Sequence, residues 1–106
     1  MKLDDIRAAA EAKYGSLPIE VGDTTVVLLN ALRLPKAKRD KISALQDDLK
    51  AEGADQEAIM RELIRLAANT KAGGELLIKG IGDDLTVLAE TLAEYGKKTR
   101  VGEASA

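Results

Sequence analysis

The chain has 106 residues, of which 45% are hydrophobic, and its 16 basic and 18 acidic residues give a formal net charge of −2. This composition predicts one small domain with an aliphatic core, and it excludes the positive field that attracts nucleic acid or an acidic membrane surface. Because the sequence contains no Cys and no His, disulfides, thiolate nucleophiles and histidine acid–base chemistry are excluded as well.

The first predicted element is a short helix over Leu3–Tyr14. Two acids occupy its first turn, where the helix dipole favours anions, and Gly15 follows as a stop signal. Its apolar positions recur at steps of three and four residues: Leu3, Ile6 and Ala10. This spacing gives one apolar stripe that needs a neighbour.

A β-hairpin is predicted over residues 17–30, where the apolar period changes from helical to alternating. Gly22 supplies the positive φ of a two-residue turn, and Pro18 suits only an edge strand. The second strand has two apolar faces that both need cover, Val26 and Leu28 on one and Val27 and Leu29 on the other. Because an isolated hairpin is marginally stable, another segment of this chain or of a second copy must complete it.

Two helices are predicted after the hairpin. The first opens at Pro35 and runs to about Glu52, and the second begins at its N-cap, Asp55. The second carries an apolar stripe too broad for a surface helix, which predicts a central position in the fold. The pair Gly73-Gly74 is predicted to end it.

A last helical region is predicted from Glu75 to Tyr95, with an interruption around residues 80–82. Residues 97–106 are small and polar, which predicts a disordered tail after a single domain of residues 1–96. The predicted fold class is therefore mainly α with one β-hairpin (α+β), in a small single domain with four to five helices.

No catalytic, cofactor-binding or metal-binding residue is predicted. The adjacent acid pairs lie on helices, where neighbouring residues point in different directions. The sequence Gly80-Ile81-Gly82 lacks the third Gly and the Lys-Ser/Thr of phosphate loops, which favours a kink. No apolar run approaches the roughly 20 residues that cross a bilayer. We therefore expect a protein that binds other protein chains, with no enzymatic activity, cofactor, nucleic acid or membrane partner.

Basic residues cluster at the start of the helix that follows Pro35: Lys36, Lys38, Arg39 and Lys41. Cations are unfavourable at a helix N-terminus, so helix stability does not account for them. A solvated face is the first interpretation, and a contact with an acidic patch on a partner protein is the second. Nucleic acid ranks third, because no aromatic side chain lies nearby for stacking.

The last helix carries a heptad-like seam with steps of four and three residues: Ile81, Leu85, Leu88, Leu92 and Tyr95. Its length favours intramolecular core, and contact with a partner helix is the alternative. The candidate protein-interaction residues are these five together with Val27, Leu29, Lys36, Lys38 and Arg39.

Six stretches of the sequence, in this order, resemble the tail assembly chaperones of long-tailed phages that infect actinobacteria: LDDIRAAAEAKYGS, IEVGDTTVVLLN, LRLPKAKRDK, AEGADQEA, IGDDLTVLAETL and VGEASA. The resemblance spans nearly the whole chain, and its specificity comes from the number and order of these stretches. The chief departure from the family pattern is Ala31, where Pro is expected, and it has no evident functional consequence.

The resemblance implies an assembly factor in the cytoplasm of the infected bacterial host that is absent from the mature virion. It implies binding to the tape measure protein, whose helical hydrophobic stretches stay soluble until tail tube subunits polymerise around them. The partners implied are the tape measure protein, further copies in a homo-oligomer, the longer product of programmed frameshifting and the tail tube protein. The tripeptide Gly96-Lys97-Lys98 is compatible with a slippery codon run.

A structural virion protein, such as a head–tail connector or tail completion factor, is the alternative function. Mass spectrometry of purified virions separates the two, because a chaperone is expected to be absent from them. A small DNA-binding regulator that uses the basic cluster of residues 36–41 is the third reading.

Overall fold

A computed structural model describes residues 1–99, which form five α-helices, one two-stranded antiparallel sheet and one 3-10 turn. The elements in chain order are α1 (Leu3–Lys13), β1 (Leu17–Val21), β2 (Thr24–Leu28), the 3-10 turn (Ala31–Arg33), α2 (Lys36–Leu49), α3 (Gln56–Ala67), α4 (Lys71–Ile81) and α5 (Leu85–Lys98). The predicted α+β fold class is confirmed.

The hairpin forms where the alternating pattern predicts it. Gly22, at φ 59°, opens a two-residue turn, and Pro18 lies in β1, whose one hydrogen-bonded neighbour among the described strands is β2. Val26 and Leu28 are fully buried, whereas Val27 is half-buried. One face of β2 therefore enters the core, and the opposite face is covered only in part.

The hairpin is completed within the chain by the segment that follows α3. Leu29 N–H donates to the Ala67 carbonyl at 2.8 Å, and Asn69 N–H donates to the Val27 carbonyl at the same distance. These bonds satisfy the edge of β2 that faces away from β1. The hairpin therefore needs no second copy to complete it.

The buried side chains form two adjoining aliphatic clusters. The first lies between the hairpin and helices α3, α4 and α5, and it consists of Val26, Leu28, Ile64, Ala67, Ala68, Leu77 and Leu88. The second joins α2 and the end of the 3-10 turn to α3, and it consists of Leu34, Ile42, Leu63 and Leu66. Because α3 contributes to both clusters, it has the central position that its broad stripe predicts.

The predicted end of α3 at Gly73-Gly74 is wrong. The helix ends at Ala67, and Thr70 caps α4 by accepting a hydrogen bond from Gly73 N–H at 2.9 Å. Both glycines lie buried in the first turn of α4, and a Cβ on Gly74 would lie 3.2 Å from the Cβ of Ala68. Gly74 permits close packing of α4 against α3, Gly73 permits its close approach to Val26 of β2, and neither glycine breaks a helix.

The predicted interruption of the last helical region is confirmed. Gly82, at φ 67°, ends α4, and the Asp84 side chain caps α5. Lys97 and Lys98, which the sequence assigned to the tail, form the last turn of α5. Thr99 is the C-cap of α5, and residues 100–106 of the predicted tail lie outside the described residues.

The substitution Gly73→Ala is expected to lower the free energy of unfolding by about 1 kcal/mol, which is the usual effect of a lost N-cap. The added Cβ would lie 2.8 Å from the Thr70 hydroxyl oxygen, so the capping side chain must move. Gly96→Ala is the matched control, because within residues 1–99 no atom outside the neighbouring backbone of α5 lies within 4 Å of its added Cβ. In the interior of α5 this change should stabilise by about 0.5–1 kcal/mol.

Urea denaturation followed by far-ultraviolet circular dichroism measures both variants. Equal stabilisation by the two substitutions would contradict the close packing at Gly73.

Candidate protein-interaction surfaces

The predicted seam is divided between the core and the surface. Leu88 is 1% exposed, and three further members pack against the first cluster: Ile81 at the end of α4, and Leu92 and Tyr95 on α5. Leu85 is 47% exposed. The structure therefore brings four members of the seam into the intramolecular core and leaves Leu85 open to a partner.

Two long-range hydrogen bonds hold the end of α5 to the segment that follows β2. The Tyr95 hydroxyl donates to the Leu29 carbonyl at 2.6 Å, and the Asn30 side-chain amide donates to the Thr99 carbonyl at 2.8 Å. The Asn30 side-chain oxygen accepts from Leu32 N–H at 3.0 Å, so both ends of this buried amide are satisfied. Asn30 was not singled out from the sequence, because its importance depends on a contact 69 residues away.

Two residues of the basic cluster make contacts with nearby residues of the same chain. Lys36 Nζ lies 2.8 Å from the Asp40 carboxylate, and the Arg39 guanidinium donates to the Leu34 carbonyl at 3.1 Å. Lys38 is half-buried. Arg39 thus bonds to the backbone between the 3-10 turn and α2, and the interaction role of the cluster stays a prediction.

An open groove of about 550 Å³ lies between β1 and α5, and sequence reasoning missed it. Its lining residues are Leu17, Ile19, Thr86, Val87, Glu90, Thr91 and Glu94. Leu17 and Ile19 are half-buried, and Val87 is 43% exposed. The sequence did contain one signal for this groove, because Val87 is a large apolar residue of α5 that lies outside the seam.

The shape and chemistry of the groove favour a helix as its ligand. Glu90 and Glu94 are exposed residues of its lining, one helical turn or about 6 Å apart along α5. A strand is disfavoured beside β1, because Pro18 lacks the N–H that a full ladder of hydrogen bonds needs. The groove therefore offers apolar contacts and negative charge to an amphipathic helix.

Helix α1 is the second unpartnered apolar surface. None of its residues is buried, and Leu3 and Ile6 are 59% and 51% exposed. An ion pair joins its Glu11 to Arg33 in the 3-10 turn. The apolar stripe predicted from the sequence is present, and it lacks the expected neighbour within the described residues.

Other polar contacts of the described residues are structural. Arg65 bonds to Glu75 at 2.8 Å, and this hydrogen bond raises the pKa of the Arg65 guanidinium. Arg61 donates to the Gly82 carbonyl at 2.9 Å, which ties α3 to the turn between α4 and α5. Residues 1–99 hold no group of three or more metal-binding side chains, and none of their helices is long and apolar enough to cross a bilayer.

The substitution Tyr95→Phe is expected to destabilise the fold by about 1 kcal/mol, because it removes the hydrogen bond to the Leu29 carbonyl. Burial raises the pKa of Tyr95 from 10.0 to about 12. The protonated phenol therefore contributes its full stability below pH 10, and that stability is lost as the pH rises from 10 towards 12.

Chemical denaturation at several alkaline pH values compares the wild type with Tyr95→Phe. The wild type should lose more stability over this interval, and Tyr14→Phe serves as the control for the other tyrosine hydroxyl. Equal pH dependence in the wild type and Tyr95→Phe would rule out the buried phenol as the cause.

A family model described as "Mycobacteriophage tail assembly protein" matches residues 1–104. The match includes the hairpin, all five helices of residues 1–99 and every residue that lines the groove. The comparisons with curated proteins and with solved structures found no match.

Proposed function

Because the chain belongs to the mycobacteriophage tail assembly protein family, we propose that it is a tail assembly chaperone that binds the tape measure protein. It keeps this protein soluble in the cytoplasm of the infected host until the tail tube polymerises, and it is absent from the mature virion. It acts by reversible binding and performs no chemistry of its own.

The observation that carries this proposal is the groove between β1 and α5, which residues 1–99 leave open. Its apolar lining residues, Leu17, Ile19 and Val87, come from two different elements, as in other grooves that receive one face of an amphipathic helix. The lining extends along α5 from Thr86 to Glu94, or about 12 Å. This length receives about two turns of a client helix.

The acids of the groove set the chemistry of the client helix. Glu90 and Glu94 favour an apolar stripe that has Lys or Arg beside it, and they disfavour a stripe flanked by acids. Helices of this pattern in the tape measure protein are the proposed ligands. Charge complementarity of this kind increases the association rate and the specificity more than the affinity.

The modest apolar content of the groove supports reversible binding. A fully buried aliphatic side chain contributes about 1.5–3 kcal/mol, and the apolar residues of this groove are already half-buried or close to it. Each copy therefore gains only part of that energy from a client. Several copies on one long tape measure protein would shield it while each remains displaceable by tail tube subunits.

The predicted frameshift position is compatible with this use of the groove. Gly96, Lys97 and Lys98 lie at the end of α5, beyond the last groove residue, Glu94. A longer product with a changed sequence after this point would keep the whole groove. The longer product is a proposed partner on this basis, and the tail tube protein is proposed as a partner from the family resemblance alone.

Val87→Asp is expected to abolish solubilisation of the tape measure protein, because a carboxylate would replace an apolar side chain of the groove. Ala89→Asp is the matched control: Ala89 is an exposed apolar residue of α5, it is not part of the groove lining, and it is not among the candidate interaction residues. Co-expression with the tape measure protein of the same phage, followed by pull-down and light scattering, gives the readout. Circular dichroism checks that both variants are folded.

Equal loss of solubilisation in both variants would place the client site elsewhere on α5. If the wild type neither binds nor solubilises the tape measure protein, the chaperone proposal fails. Detection of the chain in purified virions by mass spectrometry would indicate a structural virion protein instead.

A further inference from the structure

The two unpartnered apolar surfaces described above, both within residues 1–99, match each other in length. The α1 stripe consists of Leu3, Ile6 and Ala10, and the distance from Leu3 to Ala10 along the helix is about 10 Å. The groove extends for about 12 Å along α5. No residue of α1 lines the groove, so the structure leaves the stripe and the groove separate.

The two surfaces also complement each other in charge. At about 100° per residue, Arg7 and Lys13 flank the α1 stripe on opposite sides, about 60° from its centre. The acids of α1 lie about 100° or more from that centre. The groove presents Glu90 and Glu94, of which Glu94 also lies 3.5 Å from Lys97 Nζ. Helix α1 is thus the kind of helix that the groove favours: an apolar stripe with a cation on each side.

We propose that, in the free protein, α1 of one copy docks in the groove between β1 and α5 of a second copy. The contact joins two different surfaces, so reciprocal exchange of α1 closes a dimer, whereas one-way docking extends a longer assembly. A client helix that enters the groove displaces α1. This displacement rests on the proposed function, and the self-association does not.

The contacts of α1 with its own chain favour docking between copies. The Glu11–Arg33 ion pair holds the C-terminal half of α1 beside the 3-10 turn. At Gly15, which follows α1, a Cβ would lie 3.5 Å from the Lys98 carbonyl, so the connection to β1 passes against the end of α5. With its C-terminal end held in this way, α1 leaves its own groove empty and presents its stripe to another copy.

Sedimentation of the full chain over a range of concentrations tests the self-association. The wild type should show a concentration-dependent increase from the monomer mass to twice that mass or more. Ile6→Asp should remove this increase, because it puts a carboxylate into the stripe. Ala8→Asp is the matched control, since Ala8 lies on the opposite side of α1, and it should leave self-association unchanged.

A charge exchange between two chains identifies the contact and separates it from docking within one chain. One variant carries Arg7→Glu and Lys13→Glu in α1, and the other carries Glu90→Lys and Glu94→Lys in the groove. Each should self-associate at least tenfold more weakly than the wild type. A mixture should form a complex, because the acidic α1 of the first variant then meets the basic groove of the second.

The inference is overturned by a wild type that stays monomeric, by self-association that survives Ile6→Asp, or by a mixture that forms no complex. Solubilisation of the tape measure protein is measured separately on the same preparations. A monomer that still solubilises this client refutes the inference and leaves the proposed function intact. Self-association with the predicted variant effects, but without client binding, refutes the proposed function alone.

Discussion

The fold depends on the backbone pairing of β2 with the segment that follows α3. Leu28 and Ala68 form an antiparallel bridge, flanked by hydrogen bonds from Leu29 to Ala67 and from Asn69 to Val27. A two-stranded hairpin is marginally stable alone, and this pairing attaches it to the central helix. It also brings the fully buried face of β2 against Ile64, Leu77 and Leu88. The remaining helices pack around the unit so formed.

Small side chains make that pairing compatible with an aliphatic core. Ala67 and Ala68 lie beside the edge of β2. Gly74 lets α4 approach the end of α3, and Gly73 lets it approach Val26 of β2. A chain without Phe or Trp cannot fill wide gaps between elements, so the elements must approach closely. The long-range bonds of Asn30 and Tyr95 then attach the end of α5 to the same end of the hairpin, just after β2.

Local signals predicted most of the elements, and long-range contacts account for what the sequence did not reveal. The turn at Gly22 and the caps at Asp55 and Asp84 act within a few residues, so spacing alone located them. The end of α3 was wrongly predicted at Gly73-Gly74, because a glycine pair can indicate either a helix break or a close approach of two elements. The groove was not predicted because two elements far apart in sequence form it. The seam on the last helix identified only the face that enters the core, and the groove lies on another face.

The proposed interaction surfaces exist because some apolar residues pack in the core and others stay at the surface. Leu88 and Leu92 lie on the side of α5 that packs in the core. Val87 lies on another side and lines a groove that residues 1–99 leave open. Helix α1 buries none of its residues, so its stripe adds little to the stability of a single copy. The exposed apolar residues of the two surfaces, Val87 in the groove and the stripe of α1, thus contribute little to holding the fold together, whereas Leu17 and Ile19 also pack against the core. The proposed exchange of one helical partner for another therefore requires no unfolding of this chain, and this agrees with the proposed role as a chaperone of a long helical protein.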